Sequence, residues 1–136
     1  MPAATEAAGR HPSPSGSETN LVVEDETGVR ELAVEVLESA GFTVLAAEGP
    51  MRALEIVKQH AGRLDLLLTD VVMPQMSGRK LAERLSQERP QLRILYMSGY
   101  TDEALGAHGV LAPRTTLLAK PFTSNELIRA TREALS

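Results

Sequence analysis

The chain has 136 residues, no cysteine and a formal net charge of −4, and 43% of its residues are hydrophobic. This length allows one domain with a full core, and the absence of cysteine excludes disulfides and thiolate metal sites. Scattered basic residues and an aromatic content of 3% argue against nucleic-acid binding. No apolar run is long enough to span a bilayer, which excludes a transmembrane helix. The absence of cysteine fits a reducing compartment, and we expect a cytoplasmic domain without direct membrane contact.

The first 18 residues, MPAATEAAGRHPSPSGSE, are rich in Ala, Pro, Ser and Gly and show no apolar period. Such a segment cannot bury enough apolar surface to offset the entropy of ordering it, and it lacks the apolar centre of a signal peptide. We therefore predict a flexible tail or linker over 1–18 and one folded domain over 19–136.

Five short apolar runs recur along the predicted domain, at 21–23, 43–47, 64–68, 92–97 and 117–119. Segments with helical patterns separate them. Strands that alternate with helices, and that are apolar on both faces, are typical of a parallel sheet covered on both sides. The sequence therefore predicts a small doubly wound α/β domain with a five-stranded parallel sheet.

The helical segments carry recognisable start and stop signals. Apolar residues between 29 and 40 follow the spacing of one helix face, and Gly41 ends that helix. Pro50 suits the first turn of the second helix, and a weaker third helix is predicted over 80–87. Residues 123–126, Thr-Ser-Asn-Glu, have the spacing of a capping box and indicate the start of the last helix.

The segment 101–116 encodes a helix only weakly. Gly106 and Gly109 each cost about 1 kcal/mol in a helix interior relative to alanine, and Pro113 prevents extension. A marginal helix beside Ser98 could act as a bistable signalling element. An irregular loop explains the same residues equally well, so both interpretations stay open.

Polar residues follow four of the five predicted strands. In chain order they are Glu24-Asp25-Glu26, Asp70, Ser98-Gly99 and Lys120. Each group alone has an ordinary explanation, since acidic residues complement helix N-termini and Asp or Ser-Gly form turns. Ligands of doubly wound sheets bind beyond the carboxyl ends of the strands. The joint occurrence at four strand ends therefore predicts one site.

The net charge of this predicted site indicates that it binds a cation. Three carboxylates, from Glu24, Asp25 and Asp70, and the ammonium of Lys120 leave a net charge of −2. Clustered like charges raise one another's pKa unless something neutralises them. Oxygen ligands without histidine or cysteine favour a hard divalent ion, so we predict a Mg²⁺ site.

The motifs LVVEDE, LLLTDVVMPQMSG, YMSGY and KPF, in this order and spacing, resemble the receiver domain of bacterial two-component response regulators. The resemblance covers about residues 19–136, the whole predicted domain. It implies a flavodoxin-like fold with the sheet order 2-1-3-4-5. It also implies a phosphoacceptor domain of a two-component phosphorelay, which signals through protein contacts and is not itself an enzyme.

The resemblance assigns a nucleophile and a set of metal ligands. It implies that Asp70 takes a phosphoryl group from a phosphohistidine on a partner kinase. Asp25 and Asp70 would hold Mg²⁺ together with the backbone carbonyl of Val72. Glu24, which stands where aspartate is commoner, would act through a metal-bound water.

The resemblance also assigns residues to the phosphoryl group. Lys120 would pair with one phosphoryl oxygen, and the hydroxyl of Ser98 would donate to another. The backbone N–H groups of Val71 and Gly99 would complete the cradle. This set suits phosphoryl transfer, which depends mainly on positioning and charge neutralisation.

Three residues are implied as the switch that reports phosphorylation: Ser98, Tyr100 and Leu117. Many receivers carry Tyr or Phe three residues before the lysine, and this side chain swings inward on phosphorylation. Here that position holds Leu117, which has no polar tip. The readout of this chain therefore departs from the commoner pattern of the family.

The implied partner is a histidine kinase or a histidine phosphotransfer domain, and the domain could also form a homodimer. Two parentages fit the sequence: a stand-alone receiver, or the C-terminal receiver of a hybrid sensor kinase. The run ILYMSGYTDEAL and the tail rich in Pro, Ala and Ser favour the hybrid kinase.

Other protein classes fit less well. An interaction module with a vestigial pocket would lack Asp70 or Lys120, and both are present. A phosphatase of the haloacid dehalogenase type needs a second aspartate two residues after its nucleophile, where this chain has Val72. A flavin-binding domain needs a phosphate loop rich in Gly and hydroxyls after strand one, where this chain has EDETG.

Overall fold

The computed structural model describes residues 18–99 and 116–136. The predicted tail up to residue 17, Tyr100 and the weak helix expected after it lie outside the described residues. Within the described ranges, none of the helices combines the length and apolar character needed to cross a membrane. The elements are β1 (Thr19–Val23), α1 (Thr27–Ser39), β2 (Thr43–Ala47), α2 (Pro50–Gln59), β3 (Leu66–Asp70), α3 (Gly78–Glu88), β4 (Arg93–Ser98), β5 (Thr116–Ala119) and α4 (Ser124–Leu135).

The five strands form one parallel sheet in the order β2-β1-β3-β4-β5. This confirms the predicted doubly wound α/β fold and its sheet order. β1 and β3 are buried along their whole length, because successive side chains point to opposite faces and helices cover both. Leu21, Val23 and Leu67 thus belong to one core layer, and Val22 and Leu68 belong to the other.

β3 and β4 end later than the apolar runs predicted. The run at 64–68 continues into a strand that ends at Asp70, and β4 ends at Ser98. The ladder accounts for the difference, because Asp70 pairs with Met97 and Ser98 pairs with Ala119. Both polar residues are therefore the last residues of their strands, so the sheet itself holds their main chains.

The helix signals in the sequence act as predicted. Gly41 has a φ of 100°, in the left-handed region that favours glycine, and ends α1. Pro50 is the first residue of α2. At the start of α4, Thr123 Oγ1 accepts the N–H of Glu126 at 3.1 Å, and the Glu126 carboxylate accepts the N–H of Thr123 at 2.9 Å. This confirms the capping box.

Two helix details differ from the sequence-based expectation. Leu32 follows the apolar spacing of α1 but is 43% exposed, because the buried side of α1 is formed by other residues of the stripe. α3 begins at Gly78, earlier than predicted, because the Ser77 hydroxyl accepts the N–H of Lys80 at 3.1 Å and caps the helix.

Two buried side chains have no hydrogen-bond partner within the part of the chain that the structure describes. They are Asn20 in β1 and Thr131 in α4, and both are fully buried. A buried polar group without a partner costs about 1–3 kcal/mol. These two positions are therefore local weak points of the core.

Thr131→Val is expected to raise the free energy of unfolding by about 1 kcal/mol, because valine has nearly the same shape and removes the unpaired hydroxyl. Urea denaturation measures the change. Thr123→Val is a matched control at the N-cap of the same helix, since it removes the capping hydroxyl and is expected to lower the free energy of unfolding by about 1 kcal/mol. Equal losses of stability in both variants would contradict the prediction.

Candidate functional site

The carboxyl ends of four parallel strands meet at one edge of the sheet. Glu24 follows β1 directly, Asp70 ends β3, Ser98 ends β4 and Lys120 follows β5. Because β3 lies between β1 and β4, Asp70 stands at the centre of this edge. The fold thus brings the predicted polar residues to one place.

An ion-pair network joins Lys120 to two of these carboxylates. Its Nζ lies 2.8 Å from Oε1 of Glu24 and 2.7 Å from Oδ1 of Asp70. Glu24 is 1% exposed and Asp70 is 5% exposed, so both carboxylates are buried. The backbone N–H of Lys120 donates to the carbonyl of Ser98 at 2.7 Å. This bond keeps the lysine beside the acidic pair.

The ion-pair network shifts the pKa values of Asp70, Glu24 and Lys120 away from their ordinary values. Burial, and after it a hydrogen bond with Glu24, raise the pKa of Asp70 to about 7, although Lys120 acts in the opposite direction. Burial also acts to raise the pKa of Glu24, but hydrogen bonds with Asp70 and Lys120 outweigh it and lower this pKa. Burial acts to lower the pKa of Lys120, but its bonds to both carboxylates outweigh it and raise this pKa. Without metal, Asp70 is thus the carboxylate that takes up a proton most readily.

Three carboxylates are close enough to share a metal ion. Glu24, Asp25 and Asp70 each place one oxygen within 4.8 Å of the others, and Asp25 is the exposed member. This donor set contains only oxygen, which fits a hard divalent cation such as Mg²⁺ that keeps part of its water shell. Lys120 neutralises one negative charge, so a divalent cation would relieve the remaining repulsion.

Hydrogen bonds hold both the main chain and the carboxylate of Glu24. Its N–H donates to the carbonyl of Ala47 at 3.1 Å, and its carbonyl accepts from Nη1 of Arg30 at 2.9 Å. Its Oε2 accepts the N–H of Glu26 at 2.9 Å. The end of β2, which carried no site signal in the sequence, therefore supports the site through Ala47.

The main chain of Asp70 packs against the first residue of α3. A Cβ atom on Gly78 would overlap the carbonyl oxygen of Asp70. The N–H of Gly78 donates to the carbonyl of Val71 at 2.8 Å, and the hydroxyl of Thr69 donates to the carbonyl of Asp70 at 3.1 Å. Gly78 ends the motif LLLTDVVMPQMSG, but residue order alone did not indicate this close approach.

Gly78→Ala is expected to lower the free energy of unfolding by about 2 kcal/mol, because the new methyl group must displace the main chain of Asp70. Urea denaturation measures the loss. Gly28→Ala is the matched control, since Gly28 lies in the first turn of α1 and a Cβ there meets none of the described residues within 4 Å. That variant is expected to be as stable as the wild type or up to about 1 kcal/mol more stable. Equal effects of the two substitutions would contradict the prediction.

The amide of Val71, which was predicted to contact a phosphoryl group, has a partner in the sheet. The amide of Val71 donates to the carbonyl of Met97 at 3.0 Å. This hydrogen bond belongs to the last pair of the ladder between β3 and β4, Asp70 with Met97. A phosphoryl oxygen would have to share this N–H with the carbonyl of Met97, and the predicted contact of the Val71 amide stays a prediction.

The remaining predicted residues lie around the same edge or outside the described residues. Ser98 is buried, and its hydroxyl lies 3.4 Å from the carbonyl oxygen of Gly99, which is a long hydrogen bond. Among the described residues, a Cβ on Gly99 would meet nothing within 4 Å. Val72, two residues after the end of β3, is 65% exposed, and Leu117 is exposed on β5. Tyr100 lies outside the described residues.

Comparison with known sequences gives a consistent match. A sequence model described as the response regulator receiver domain matches residues 21–132. The sensor kinase CckA of Brucella abortus (strain 2308) is 37% identical over 121 residues, which cover 89% of this chain and 13% of that kinase. The response regulator receiver protein CpdR of the same organism is 32% identical over 115 residues, which cover 85% of this chain and 94% of CpdR. The chain thus spans nearly all of CpdR and only a small part of the sensor kinase.

Solved structures with the same fold agree with this match. A response regulator receiver protein from Sinorhizobium medicae WSM419 has a TM-score of 0.76 and 31% identity, and the match covers 88% of this chain and 94% of that one. The receiver domain of the hybrid histidine kinase CckA has a TM-score of 0.73 and 30% identity, with 87% and 99% covered. Both similarities extend over nearly the full length of the compared domains.

Proposed function

The chain belongs to the family of response regulator receiver domains, and we propose that Asp70 is the residue on which it accepts a phosphoryl group. The phosphoacceptor function in two-component signalling follows from the family. The observation that supports Asp70 is its placement as a buried carboxylate at the centre of the sheet edge. It lies 2.7 Å from Nζ of Lys120 and within 4.8 Å of carboxylate oxygens of Glu24 and Asp25.

In the proposed reaction, a carboxylate oxygen of Asp70 attacks the phosphorus of a phosphohistidine on the partner. The O–P bond forms and the P–N bond breaks, and the electron pair of that bond stays on the imidazole, which takes a proton from solvent. Asp70 must be deprotonated to attack, and the ammonium of Lys120 favours that form. The protein contributes mainly orientation and charge neutralisation.

Lys120 is proposed to pair with a phosphoryl oxygen after transfer, since its Nζ already contacts the accepting carboxylate. The hydroxyl of Ser98 and the amide of Gly99 are the proposed donors to the other oxygens. Both lie at the end of β4, which pairs with β3 at Asp70. No atom of residues 18–99 and 116–136 would contact a Cβ on Gly99, which supports this assignment.

Glu24, Asp25 and Asp70, together with the backbone carbonyl of Val72, are proposed to hold Mg²⁺, which supplies positive charge against the phosphoryl oxygens. Glu24 is buried and bonded to Lys120 and to the amide of Glu26. These bonds suit a contact through water rather than direct ligation. Asp25 is exposed and suits direct ligation.

The proposed partner is a histidine kinase or a histidine phosphotransfer domain, and the output passes through protein contacts. We favour the receiver of a hybrid sensor kinase over a stand-alone receiver. Identity of 37% to a sensor kinase, against 32% to the receiver protein CpdR, supports this preference. We further propose a linker over 1–18, a folded domain over 19–136, a cytoplasmic location and pairing with a second copy.

Intact mass after incubation with acetyl phosphate tests the proposed function. The wild type is expected to gain one phosphoryl group in Mg²⁺ and none in EDTA. Cleavage of the adduct by hydroxylamine would identify it as an acyl phosphate. A folded wild type that binds Mg²⁺ and gains no adduct would overturn the proposal and favour a binding module with a vestigial pocket.

A further inference from the structure

We propose that Arg30 is a positioning residue that keeps the acidic residues after β1 in place for Mg²⁺, an inference that rests on the proposed function. Its Nη1 donates to the carbonyl oxygen of Glu24 at 2.9 Å, and its Nη2 lies 3.4 Å from Oγ1 of Thr27. The guanidinium therefore connects the residue after β1 to the first residue of α1. It closes the turn that contains Asp25.

Arg30 stands where helix electrostatics disfavours a cation. α1 begins at Thr27, its first turn contains no acidic residue, and its N-cap Glu26 makes no side-chain capping hydrogen bond. The N-terminus of a helix carries a partial positive charge, so an arginine in the first turn is locally unfavourable. Residues that break a local rule often have a tertiary or functional role, and the bond to Glu24 provides one.

The two acidic residues after β1 are held unequally. Glu24 is buried and hydrogen-bonded through both its main chain and its carboxylate. Asp25 is exposed, and its carboxylate has no hydrogen bond or ion pair within residues 18–99 and 116–136. The position of Asp25 therefore depends on the main chain of the turn that Arg30 closes.

Arg30 could affect Mg²⁺ through its charge or through its hydrogen bond to the turn, and these two roles predict opposite changes in Mg²⁺ affinity when Arg30 is removed. Arg30 is a cation bonded to the residue next to Asp25, so if only its charge mattered, removal would strengthen the binding of Mg²⁺. If Arg30 closes the turn, removal frees Asp25 and weakens the binding of Mg²⁺. The direction of the change therefore distinguishes the two roles.

Isothermal titration calorimetry with MgCl₂ on the full chain measures this direction. Arg30→Met is expected to raise the Kd for Mg²⁺ about tenfold, the size expected for losing one charge-assisted hydrogen bond. Arg30→Lys keeps the charge and one donor and is expected to recover most of the affinity. Arg52→Met is the matched control, because Arg52 pairs with Glu55 on the exposed surface of α2. Its Kd is expected to equal that of the wild type.

The Mg²⁺ dependence of phosphoryl uptake separates positioning from a general structural role. Arg30→Met is expected to raise the half-saturating Mg²⁺ concentration about tenfold. Its rate at saturating Mg²⁺ is expected to match the wild type, because Asp70 and Lys120 are unchanged. A lower rate at all Mg²⁺ concentrations with an unchanged Kd would overturn the inference in favour of a structural role.

The outcomes distinguish the inference from the proposed function. An unchanged or lower Kd in Arg30→Met, beside a wild type that binds Mg²⁺ and gains a phosphoryl group, would overturn the inference alone. A wild type that neither binds Mg²⁺ nor gains a phosphoryl group would overturn both. If Arg30→Met fails to fold, Arg30→Gln takes its place. A raised Kd there supports the inference, and a wild-type Kd overturns it.

Discussion

Asp70→Asn is expected to gain no phosphoryl group from acetyl phosphate, because an amide cannot act as the acceptor. In metal-free buffer near pH 8 it is also expected to have a free energy of unfolding about 2 kcal/mol higher than the wild type. Asp70 and Glu24 place two buried carboxylates on the one ammonium of Lys120. A neutral amide of the same shape removes the repulsion between them.

The gain in stability is expected to depend on pH. Burial, and after it the hydrogen bond with Glu24, raise the pKa of Asp70 to about 7 in the fold. The part of the free energy of unfolding that comes from protonated Asp70 is therefore fully present below the ordinary pKa of aspartate. It is lost as the pH rises through about 7. The wild type loses this stability and Asp70→Asn does not. Urea denaturation near pH 5.5 and near pH 8 should show the larger difference at pH 8.

Asp65→Asn is the matched control for this prediction. Asp65 lies just before β3, at the opposite edge of the sheet, where it accepts the N–H of Thr19 at 2.8 Å and pairs with Arg63. The variant is expected to keep phosphoryl uptake and to lose about 1 kcal/mol of stability. An Asp70→Asn protein less stable than the wild type at pH 8 would contradict the predicted repulsion. A phosphoryl adduct on it would place the acceptor elsewhere.

Lys120→Met is expected to lower the free energy of unfolding by about 3 kcal/mol in metal-free buffer near pH 8. Removing one partner of a buried ion pair leaves uncompensated charge, here on Glu24 and Asp70, and costs about 3–5 kcal/mol. We expect a loss at the lower end of this energy range because the Lys120 side chain is 20% exposed. Phosphoryl uptake from acetyl phosphate is expected to slow about a hundredfold, since a preorganised donor to the phosphoryl oxygens is lost.

Addition of Mg²⁺ is expected to recover part of the stability of Lys120→Met, because a divalent cation replaces the missing positive charge. Lys80→Met is the control, since Lys80 is an exposed lysine in the first turn of α3. Its free energy of unfolding is expected to stay within about 0.5 kcal/mol of the wild type. Lys120→Met with wild-type stability in metal-free buffer would show that the ion pairs do not stabilise this edge of the sheet.

Local patterns were sufficient for most of the fold. The glycine at 41, the proline at 50 and the capping box at 123–126 act over a few residues, so each could be interpreted without knowing its neighbours in space. The alternation of apolar runs with helical segments likewise predicted the α/β class. The order of the strands came from the resemblance to a family, because strand order depends on packing between distant segments.

The site could be anticipated because parallel strands have a shared polarity. Their carboxyl ends meet at one edge, so polar residues at several strand ends were expected to be neighbours. The structure brings Glu24, Asp70 and Lys120 into direct contact. Spacing alone did not indicate that Asp70 and Ser98 are the last paired residues of their strands, because ladder length depends on the partner strand.

Other features of the site were decided only by the tertiary structure. The amide of Val71 donates to the carbonyl of Met97 in β4. Gly78 is required because its Cα packs against the carbonyl of Asp70, and Arg30 bonds to the carbonyl of Glu24. These features depend on distances between backbone atoms and groups elsewhere in the chain. Residue order carries the identity of each group, but which partner each donor and acceptor takes is set by the folded geometry.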